Sequence, residues 1–485
     1  MKKGQIVEGT VTDVKFPNKS IVKCEEGEVI VKGLIPGQSV SARITKKHGD
    51  RYEGRLLDII KPSPFEDVNE VCPYFGICGG CTYQSVNYEK QLAIKEGQVK
   101  NIIDAVCTDY EFLGITASPI TGEYRNKMEF SFGDEYMDGP LALGLHKKGS
   151  FHDIVSVMDC KIIDEDYRKI LKATLEYFSN SGLTYYHKMK HTGYLRHLLV
   201  RKAARTGEIM VDLVTTTQNV VDLAPYAELL RTLEYKGKLV SVLHTVNDSL
   251  SDAVVNEGTA VLYGRDYIIE KLFDLSFKIT PFSFFQTNTL GAEVLYEKVR
   301  EFAGDTGNKT IFDLYSGTGT IAQVLAPVAG RVIGVEIVDE AVEAAKINAE
   351  INGLQNCEFI AGDVLRVIGE LKDKPELIIL DPPRDGIHPK AILPIIEFGV
   401  DNIVYVACKP TSVARDIQIF EAHGYKVKKV CCVDMFPGTV HVETIALLSR
   451  VSNRKADSHI KLSLDMDEYH DIVEKENAND NLGRK

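Results

Sequence analysis

Hydrophobic and polar residues alternate with a period of two through roughly the first sixty residues of the chain. Four such segments are separated by Gly and Pro turns: QIVEGTVTDV, SIVKCEEGEVIVKGL, QSVSARITKK and RYEGRLLDII. Short strands spaced in this way are typical of a small β-barrel. The pattern therefore predicts an OB-like barrel over residues 1–62. Such barrels often bind oligonucleotides, although a fold alone does not fix a function.

From Pro281 onward, apolar strands alternate with helical segments. The strands are KTIFDLY, RVIGVEI, CEFIAGD, LIILDPPR and NIVYVAC, an order that predicts an α/β domain with a Rossmann-like parallel sheet. Between the barrel and this domain lie a cysteine cluster, the helical segment NYEKQLAIKEGQVKNIIDAV and a β-rich middle that ends near Lys278. Beyond Val451 the tail is polar and mixed in charge, and we expect it to be loosely attached, with at most one helix.

The composition is that of an ordinary globular protein. The chain has 485 residues, 44% hydrophobic and 26% charged, which suggests about two to four domains. It contains no apolar run of about 18 residues and its start lacks the apolar core of a signal peptide. We therefore expect a cytoplasmic protein with no membrane partner. In that reducing compartment, ten cysteines are expected to be ligands, nucleophiles or core residues rather than disulfides.

The net charge of -12 argues against a general affinity for nucleic acid, but local patches can differ from the total. The run YYHKMKHTGYLRHLLVRKAARTG (Tyr185–Gly207) carries six Lys and Arg, three His and three Tyr, with no acidic residue. Interleaved basic and aromatic residues suit phosphate and base contacts. A solvated strand face explains the run equally well.

A glycine turn marks the expected cofactor pocket. In KTIFDLYSGTGTIA, the residues Gly317, Gly319 and Ala322 fit G-x-G-x-x-A, and Glu336 ends the next strand. Dinucleotide enzymes and S-adenosylmethionine enzymes share this turn, whose glycines admit the ligand and whose acid binds ribose hydroxyls. Asp363 follows the third strand, where an adenine amino group can be read. The fourth strand ends in D-P-P-R, a turn typical of methyltransferases that act on nucleobases.

Cys408 follows the fifth strand of this domain, where an α/β enzyme exposes reactive groups. Carbon 5 of a pyrimidine is a poor nucleophile until a thiolate adds to carbon 6, and a base must later remove the carbon 5 proton. Glu443 begins a late apolar strand and is a candidate for that base. Taken alone, Cys408 is better explained as an ordinary buried thiol, because free cysteine is among the most buried residue types.

These motifs together resemble the RNA (uracil-5-)-methyltransferase family, which makes 5-methyluridine in tRNA and 23S rRNA. The resemblance covers all but about the last 35 residues and includes YRNKMEFSFG, FFQTN, DLYSGTGTIA, DPPR, the C-x-P-x-S-x-A-R-D loop and HVE. It implies that Cys408 is the nucleophile and Glu443 the base. It also implies a set of S-adenosylmethionine contacts, with Asp363 near the adenine and Asp381 also near the uracil: Gln286, Tyr315, Glu336, Asp363 and Asp381.

The resemblance also implies a domain plan. The barrel at residues 1–62 is a TRAM domain in that family, residues 63–90 and 122–280 form a central iron–sulfur and RNA-binding domain, and residues 91–121 and 281–450 form the methyltransferase domain. Residues 451–485 are the polar tail. The chain departs from the family in having Lys409 where Asn is common. A cation at this place is expected to lower the pKa of Cys408.

Three cysteines form the pattern C-x5-C-x2-C, and Cys160 offers a fourth thiol. By spacing alone, zinc and an iron–sulfur cluster are about equally favoured. The resemblance to the iron–sulfur branch of the family implies a 4Fe–4S cluster with a structural role. Its ligands are then Cys72, Cys78, Cys81 and Cys160. We expect the five remaining cysteines to be core residues: Cys24, Cys107, Cys357, Cys431 and Cys432.

The sequence thus predicts an S-adenosylmethionine-dependent enzyme that methylates carbon 5 of a uridine in RNA, with 23S rRNA as the expected partner and no obligate protein partner. The uridine has to be extruded to reach Cys408. The same reaction on the T-loop uridine of tRNA is the nearest alternative. A methyltransferase of exocyclic amines, which needs no thiol, and a non-catalytic RNA-binding module, which needs no intact cofactor pocket, are the alternatives from other classes.

Overall fold

The computed structural model describes residues 1–150, 152–251, 253–371 and 373–451. Five strands at the start close into a barrel in the order β1-β2-β3-β5-β4. They are β1 (Ile6–Lys15), β2 (Lys19–Cys24), β3 (Gly27–Lys32), β4 (Ser39–His48) and β5 (Arg51–Lys61). The alternating apolar residues fill its interior with Val, Ile, Leu and Ala side chains. The assignment of this barrel to the OB-like TRAM type stays a prediction.

A long helix and a short strand follow the cysteine segment. Helix α1 (Tyr88–Asp104) begins after Asn87, whose side chain accepts a hydrogen bond from the Lys90 amide. Strand β6 (Glu111–Thr116) leaves the region of α1 and joins the sheet formed by the end of the chain. Two segments that are remote in sequence therefore share one sheet.

The middle of the chain forms a seven-stranded sheet with two helices. Its strands lie in the order β13-β12-β11-β10-β7-β8-β9. The elements are β7 (Lys127–Asp134), β8 (Leu141–His146), β9 (Ile154–Val155), α2 (Glu165–Ser179), β10 (Leu195–Lys202), β11 (Glu208–Thr215), α3 (Ala224–Thr232), β12 (Lys238–Val246) and β13 (Thr259–Gly264). A hairpin of β14 (Ile268–Leu272) and β15 (Leu275–Ile279) leads out of it.

The basic run forms only part of the surface that either sequence interpretation required, with Lys190 and Arg205 exposed. Arg196 and Arg201 are buried on β10, a strand inside the seven-stranded sheet, and their guanidinium groups donate to backbone carbonyls. Lys202 pairs with Asp164 and Asp166, and Arg205 pairs with Glu293. Most of the charge in this run therefore stabilises the fold.

The last part of the chain builds an eight-stranded sheet in the order β18-β17-β16-β19-β20-β22-β21-β6. Its elements are α4 (Thr289–Ala303), β16 (Thr310–Leu314), α5 (Thr320–Leu325), β17 (Arg331–Glu336), α6 (Asp339–Ile351), β18 (Cys357–Ala361), α7 (Val364–Val367), β19 (Leu377–Leu380), α8 (Pro389–Glu397), β20 (Asn402–Ala407), α9 (Pro410–Ala422), β21 (Tyr425–Val433) and β22 (Glu443–Arg450). Strands β16 to β20 are parallel and correspond to the five predicted strands.

The strand order reverses at β16, which pairs with β17 on one side and with β19 on the other. Ligands of open α/β sheets bind at the carboxyl edge beside such a reversal. None of the helices in the described ranges is long and apolar enough to span a bilayer. The domain boundaries stay a prediction, and the predicted helix in the tail lies outside the described residues.

Candidate active site

The glycine turn after β16 opens the carboxyl edge of the sheet. Tyr315, Gly317 and Gly319 all have positive φ values, of 68°, 54° and 72°. A Cβ atom on Gly319 would lie 2.5 Å from Cζ of Phe359, so any side chain larger than hydrogen is excluded there. The turn therefore packs closely against Phe359 of the third parallel strand at Gly319, while Gly317 lines the cavity that opens beside it.

The two acids predicted to bind the nucleoside have different surroundings. Glu336 ends β17, and its carboxylate accepts hydrogen bonds from the amides of Gly317 and Val338, both at 3.0 Å. Each carboxylate oxygen keeps a further lone pair that can accept a hydrogen bond from a ribose hydroxyl. Asp363 instead caps α7 by accepting from the Leu365 amide at 2.8 Å, and its side chain is exposed.

A cavity of about 1360 Å³ lies at this edge of the sheet. Six of the seven predicted catalytic and cofactor residues line it: Gln286, Tyr315, Glu336, Asp381, Cys408 and Glu443. Asp363 is not among its lining residues, so its contact with an adenine stays a prediction. The volume and the paired backbone and carboxylate groups fit S-adenosylmethionine, the cofactor that the resemblance implies.

Cys408 lies between β20 and α9, on the wall of the cavity. Burial raises the pKa of its thiol, and the charges of Glu443 and Asp381 raise it further, while a hydrogen bond and the charge of Arg384 lower it. Arg384 of the D-P-P-R turn therefore favours the thiolate, and the expected effect of Lys409 stays a prediction. Arg384 also approaches Nδ1 of His441 at 3.4 Å.

Three carboxyl groups lie along this edge, of which Asp313 and Glu443 are buried and Asp381 is half-buried. Burial and the charge of Asp381 raise the pKa of Glu443 to about 8, against the opposing charge of Arg384. Burial raises the pKa of Asp381 to about 7. Burial, helped by Asp381, raises the pKa of Asp313 to about 8. At neutral pH this wall therefore holds protons that exposed carboxyl groups would have released.

Two residues of the site were not predicted. Arg384 is the last residue of the D-P-P-R motif. It could have been predicted, because this motif follows the strand that pairs with the strand before Cys408. Tyr296 is buried on α4, where an aromatic residue is indistinguishable from core packing by sequence. Its hydroxyl forms a hydrogen bond with the Gln286 side chain. Because α4 packs against β20 and β22, Tyr296 links Gln286 to the strands that carry Cys408 and Glu443.

The connection between β21 and β22, residues 434–442, joins the cavity to the cysteine segment. The amides of Thr82 and Tyr83 both donate to the Gly438 carbonyl, at 2.8 and 2.9 Å. Lys95 and Asp434 form a fully buried ion pair at 2.7 Å. Phe436, in the same connection, lines the cavity. The segment before Glu443 is thus held by the cysteine loop and by α1.

The four predicted cluster ligands lie near one another, but they do not form a recognisable metal site. The Cys160 thiol donates to Cys72, which lowers the pKa of Cys72 to about 6. Burial, helped by the charge of Cys78, raises the pKa of Cys81 to about 12. Across the described ranges, three or more donors converge nowhere closely enough to bind a metal ion. Four thiols suit an iron–sulfur cluster chemically, but the fit is incomplete and no catalytic step depends on it.

The expectation for the other cysteines was right for three of them. Cys107, Cys431 and Cys432 are buried. Cys24 and Cys357 are half-buried and pack against the edges of two hydrophobic cores, so the prediction holds for them in part. Both lie on strands whose side chains alternate between the two faces of a sheet, and each is close to the end of its strand.

Comparison with known proteins identifies relatives over nearly the whole chain. The profile of the tRNA (uracil-5-)-methyltransferase family matches residues 253–451. An uncharacterised RNA methyltransferase of Clostridium tetani is 51% identical over 93% of this chain and 99% of its own length. Another, from Caldanaerobacter subterraneus, is 50% identical over 93% of this chain and 100% of its own length.

A solved structure extends the similarity to the fold. The crystal structure of Pyrococcus abyssi tRNA (uracil-54, C5)-methyltransferase in complex with S-adenosyl-L-homocysteine has a TM-score of 0.73 and 27% identity. The match covers 91% of this chain and 100% of that one. The cavity at the carboxyl edge, the near-complete coverage of the relatives and the family profile lead to one conclusion. The chain belongs to the tRNA (uracil-5-)-methyltransferase family of S-adenosylmethionine-dependent RNA methyltransferases.

Proposed function

We propose that this RNA methyltransferase acts on carbon 5 of a uridine, with Cys408 as the nucleophile and Glu443 as the base. One observation carries the proposal: a thiol and a buried carboxyl group line the same cavity as the glycine turn and the D-P-P-R turn. A methyltransferase of exocyclic amines has no use for the thiol. Tyr315, Gln286, Glu336 and Asp381 are the residues that would hold the cofactor there.

The reaction begins at Cys408. Arg384 stabilises the thiolate, whose sulfur forms a bond to carbon 6 while the π electrons of the ring move toward oxygen 4. S-adenosylmethionine, when bound, would supply an electrophilic methyl group. Carbon 5 would take this group through that electron pair, and the bond from the methyl group to sulfur would break to leave S-adenosylhomocysteine. The Glu443 carboxylate then accepts the carbon 5 proton. The released electron pair restores the double bond between carbons 5 and 6 and expels the Cys408 thiolate, so the enzyme is regenerated.

Trapping with 5-fluorouridine RNA tests the nucleophile, because fluorine on carbon 5 prevents the proton removal that releases the enzyme. With S-adenosylmethionine present, the native protein should form a protein–RNA adduct that survives denaturation. Cys408→Ala should form none. The control variant Cys24→Ala removes a half-buried thiol of the barrel and should form the adduct normally. An equal yield from Cys408→Ala would show that another group attacks the ring.

We propose 23S rRNA as the substrate, on the basis of the cysteine pattern that resembles the iron–sulfur branch of the family. The alternative is the T-loop uridine of tRNA, which is favoured by the similarity to the Pyrococcus abyssi tRNA enzyme. Mapping 5-methyluridine in both RNA classes from a deletion strain separates the two. Loss from 23S rRNA alone supports the proposal, whereas loss from tRNA alone supports the alternative.

We also propose that Cys72, Cys78, Cys81 and Cys160 hold a 4Fe–4S cluster. Protein purified without oxygen should then be brown and contain about four irons per chain. Cys78→Ser should lose the colour and most of the iron, while the matched variant Cys357→Ser should keep both. Stoichiometric zinc in a colourless anaerobic preparation would identify the other metal that the spacing allows.

A further inference from the structure

Positive side chains gather beside the cavity at the start of β7. The guanidinium group of Arg125 lies 5.8 Å from the centre of the Phe436 ring, which lines the cavity. Asn126 follows, and its side-chain amide donates to the Gln286 carbonyl at 2.9 Å and to the Thr289 hydroxyl at 2.7 Å. Arg125 and Lys127 therefore flank a residue that fastens this segment to the cavity wall, and both are partly exposed.

Little acidic charge compensates these two cations. Neither Arg125 nor Lys127 forms an ion pair with any residue in the described ranges, in contrast to Lys202 and Arg205 on the neighbouring strand and its turn. Glu129, two residues along β7, has a carboxylate whose charge raises the pKa of Lys127. A partly exposed cation without an ion-pair partner is a place where an anion from outside is stabilised.

A third cation lies behind them. Arg201 faces Lys127 across the β7–β10 pairing and is 2% exposed. Its guanidinium group donates to the carbonyls of Pro281 and Ser283, and so holds the loop that carries Ser283 and Phe284 into the cavity wall. Burial and the charge of Arg201 lower the pKa of Lys127 to about 8. A neighbouring anion would remove part of this repulsion.

The positive field also reaches His441, which lies two residues before Glu443. Burial and the charges of Arg384, Lys95 and Arg125 lower the pKa of His441 to about 4, so this imidazole is neutral at pH 7. The side of the cavity near Phe436 is therefore positive, although the chain as a whole carries a net charge of -12.

We propose that Arg125 and Lys127 bind a backbone phosphate of the RNA next to the uridine that enters the cavity. The inference rests on the proposed function, because a uridine extruded into a pocket leaves its phosphates at the pocket's mouth. Phosphate contacts fix the register of a nucleic acid without reading its sequence. Asn126 lies between the two cations and donates to the Gln286 carbonyl, so it would hold the bound phosphate at a fixed distance from the cavity wall.

The salt dependence of binding measures the phosphate contact directly. With fluorescent oligouridylate as the probe, Lys127→Gln should bind about 10-fold more weakly than the native protein, the cost of one charge-assisted hydrogen bond. The slope of log affinity against log salt should fall by about 0.7, the value for one phosphate of a single strand. Lys236→Gln, which removes a cation paired with Glu165, should leave the slope unchanged.

Two further variants separate a phosphate contact from a structural role. Lys127→Arg keeps the charge and should restore the slope, and S-adenosylmethionine affinity should be native in both Lys127 variants. A Lys127→Arg protein with the slope of Lys127→Gln would overturn the proposal, as would an unchanged slope in Lys127→Gln. These binding measurements need no methyl transfer. They therefore stand even if 5-fluorouridine trapping rejects the proposed reaction.

Neutral methylphosphonate linkages locate the contact. Each linkage around the mapped uridine is replaced in turn, and affinity is compared between the native protein and Lys127→Gln. One linkage next to the uridine should weaken native binding about 10-fold and leave Lys127→Gln unaffected. If every linkage weakens both proteins by equal factors, Lys127 contacts none of these phosphates and the proposal is wrong.

Discussion

The two sides of the cavity carry opposite types of ionisable group. On the side formed by the sheet, Asp313 and Glu443 are buried and Asp381 is half-buried, and the pKa values of all three are raised to between about 7 and 8. On the side near Phe436, burial together with the charges of Arg384, Lys95 and Arg125 lowers the pKa of His441 and keeps it neutral. Cys408 lies where the two fields oppose each other: the acids raise the pKa of its thiol and Arg384 lowers it.

This difference between the two sides explains how a chain with a net negative charge can bind RNA. The acids are withdrawn from solvent and hold protons, so they repel an approaching phosphate less than exposed carboxylates would. The cations beside them have few acidic partners and keep their charge. The local balance of positive and negative charge at the cavity is thus set by burial and by ion pairing. The net charge of the chain does not determine it. Four experiments test this division, from the largest expected effect to the smallest.

Removing the charge of Glu443 should stop the reaction at its last step. Glu443→Gln should lower turnover by about 10²–10⁴, the usual contribution of a positioned proton acceptor. Addition of Cys408 and methyl transfer need no carboxylate, so the variant should accumulate a methylated covalent complex with ordinary RNA. Denaturing gels with labelled methyl donor detect it. A folded variant that loses turnover without any trapped complex would remove Glu443 from the mechanism.

Removing the charge of Arg384 should weaken the first step instead. Arg384→Gln leaves Cys408 with burial and two acids that all raise its pKa, so thiolate should become scarcer. The rate of adduct formation with 5-fluorouridine RNA should fall about 10- to 100-fold, which corresponds to one charge-assisted hydrogen bond. Raising the pH should recover part of the loss. Arg331→Gln, which removes an exposed cation paired with Glu358, serves as the control and should react normally.

The raised pKa of Glu443 predicts an alkaline pH profile. A base must be ionised, and Glu443 loses its proton near pH 8 rather than near pH 4. Turnover at saturating RNA should therefore rise about 10-fold per pH unit toward pH 8 and level off above it. Single-turnover measurements in constant ionic strength give the profile. A rate that is flat from pH 6 to 8 would mean that Glu443 is already ionised there.

The smallest effect concerns stability. Between its unfolded pKa and about 8, folded Asp313 keeps a proton that the unfolded chain has released, so stability falls as the pH rises through this window. Asp313→Asn cannot ionise. From pH 7 to 9 the native protein should lose about 1 kcal/mol more stability than this variant. Urea unfolding measures the difference, and Asp58→Asn, an exposed barrel substitution, should follow the native curve.

Sequence reasoning recovered the catalytic half of the sheet because buried parallel strands are continuous apolar runs. The segments that became β16 to β20 have this character, and Cys408 and Glu443 lie at strand ends where such folds hold their chemistry. The cavity also brought together six of the seven predicted residues. Asp363 was assigned by its order in the motif alone, and motif order does not reveal that its carboxylate caps a helix.

Other features have no local signal. The pairing of β6 with β21 joins segments that are remote in sequence. The residues of the short strand β6 do not indicate which strand it will pair with. The buried positions of Arg196 and Arg201 depend on backbone carbonyls supplied by distant loops. A charged run therefore cannot be assigned to the surface before the fold is known. The cations Arg125 and Lys127 became visible only when their lack of ion pairs with the residues that the structure describes was compared with the ion pairs of Lys202.

The position of β22 has a consequence for how the protein folds during translation. This strand separates β20 from β21, and β21 in turn receives β6. The buried charge of Lys95 is compensated by Asp434, which is synthesised 339 residues later. The barrel and the middle sheet can fold as they emerge, but the catalytic sheet closes only when its last strand is translated. Because that strand begins with Glu443, a chain that ends before β22 lacks both the strand between β20 and β21 and the carboxyl group proposed as the base.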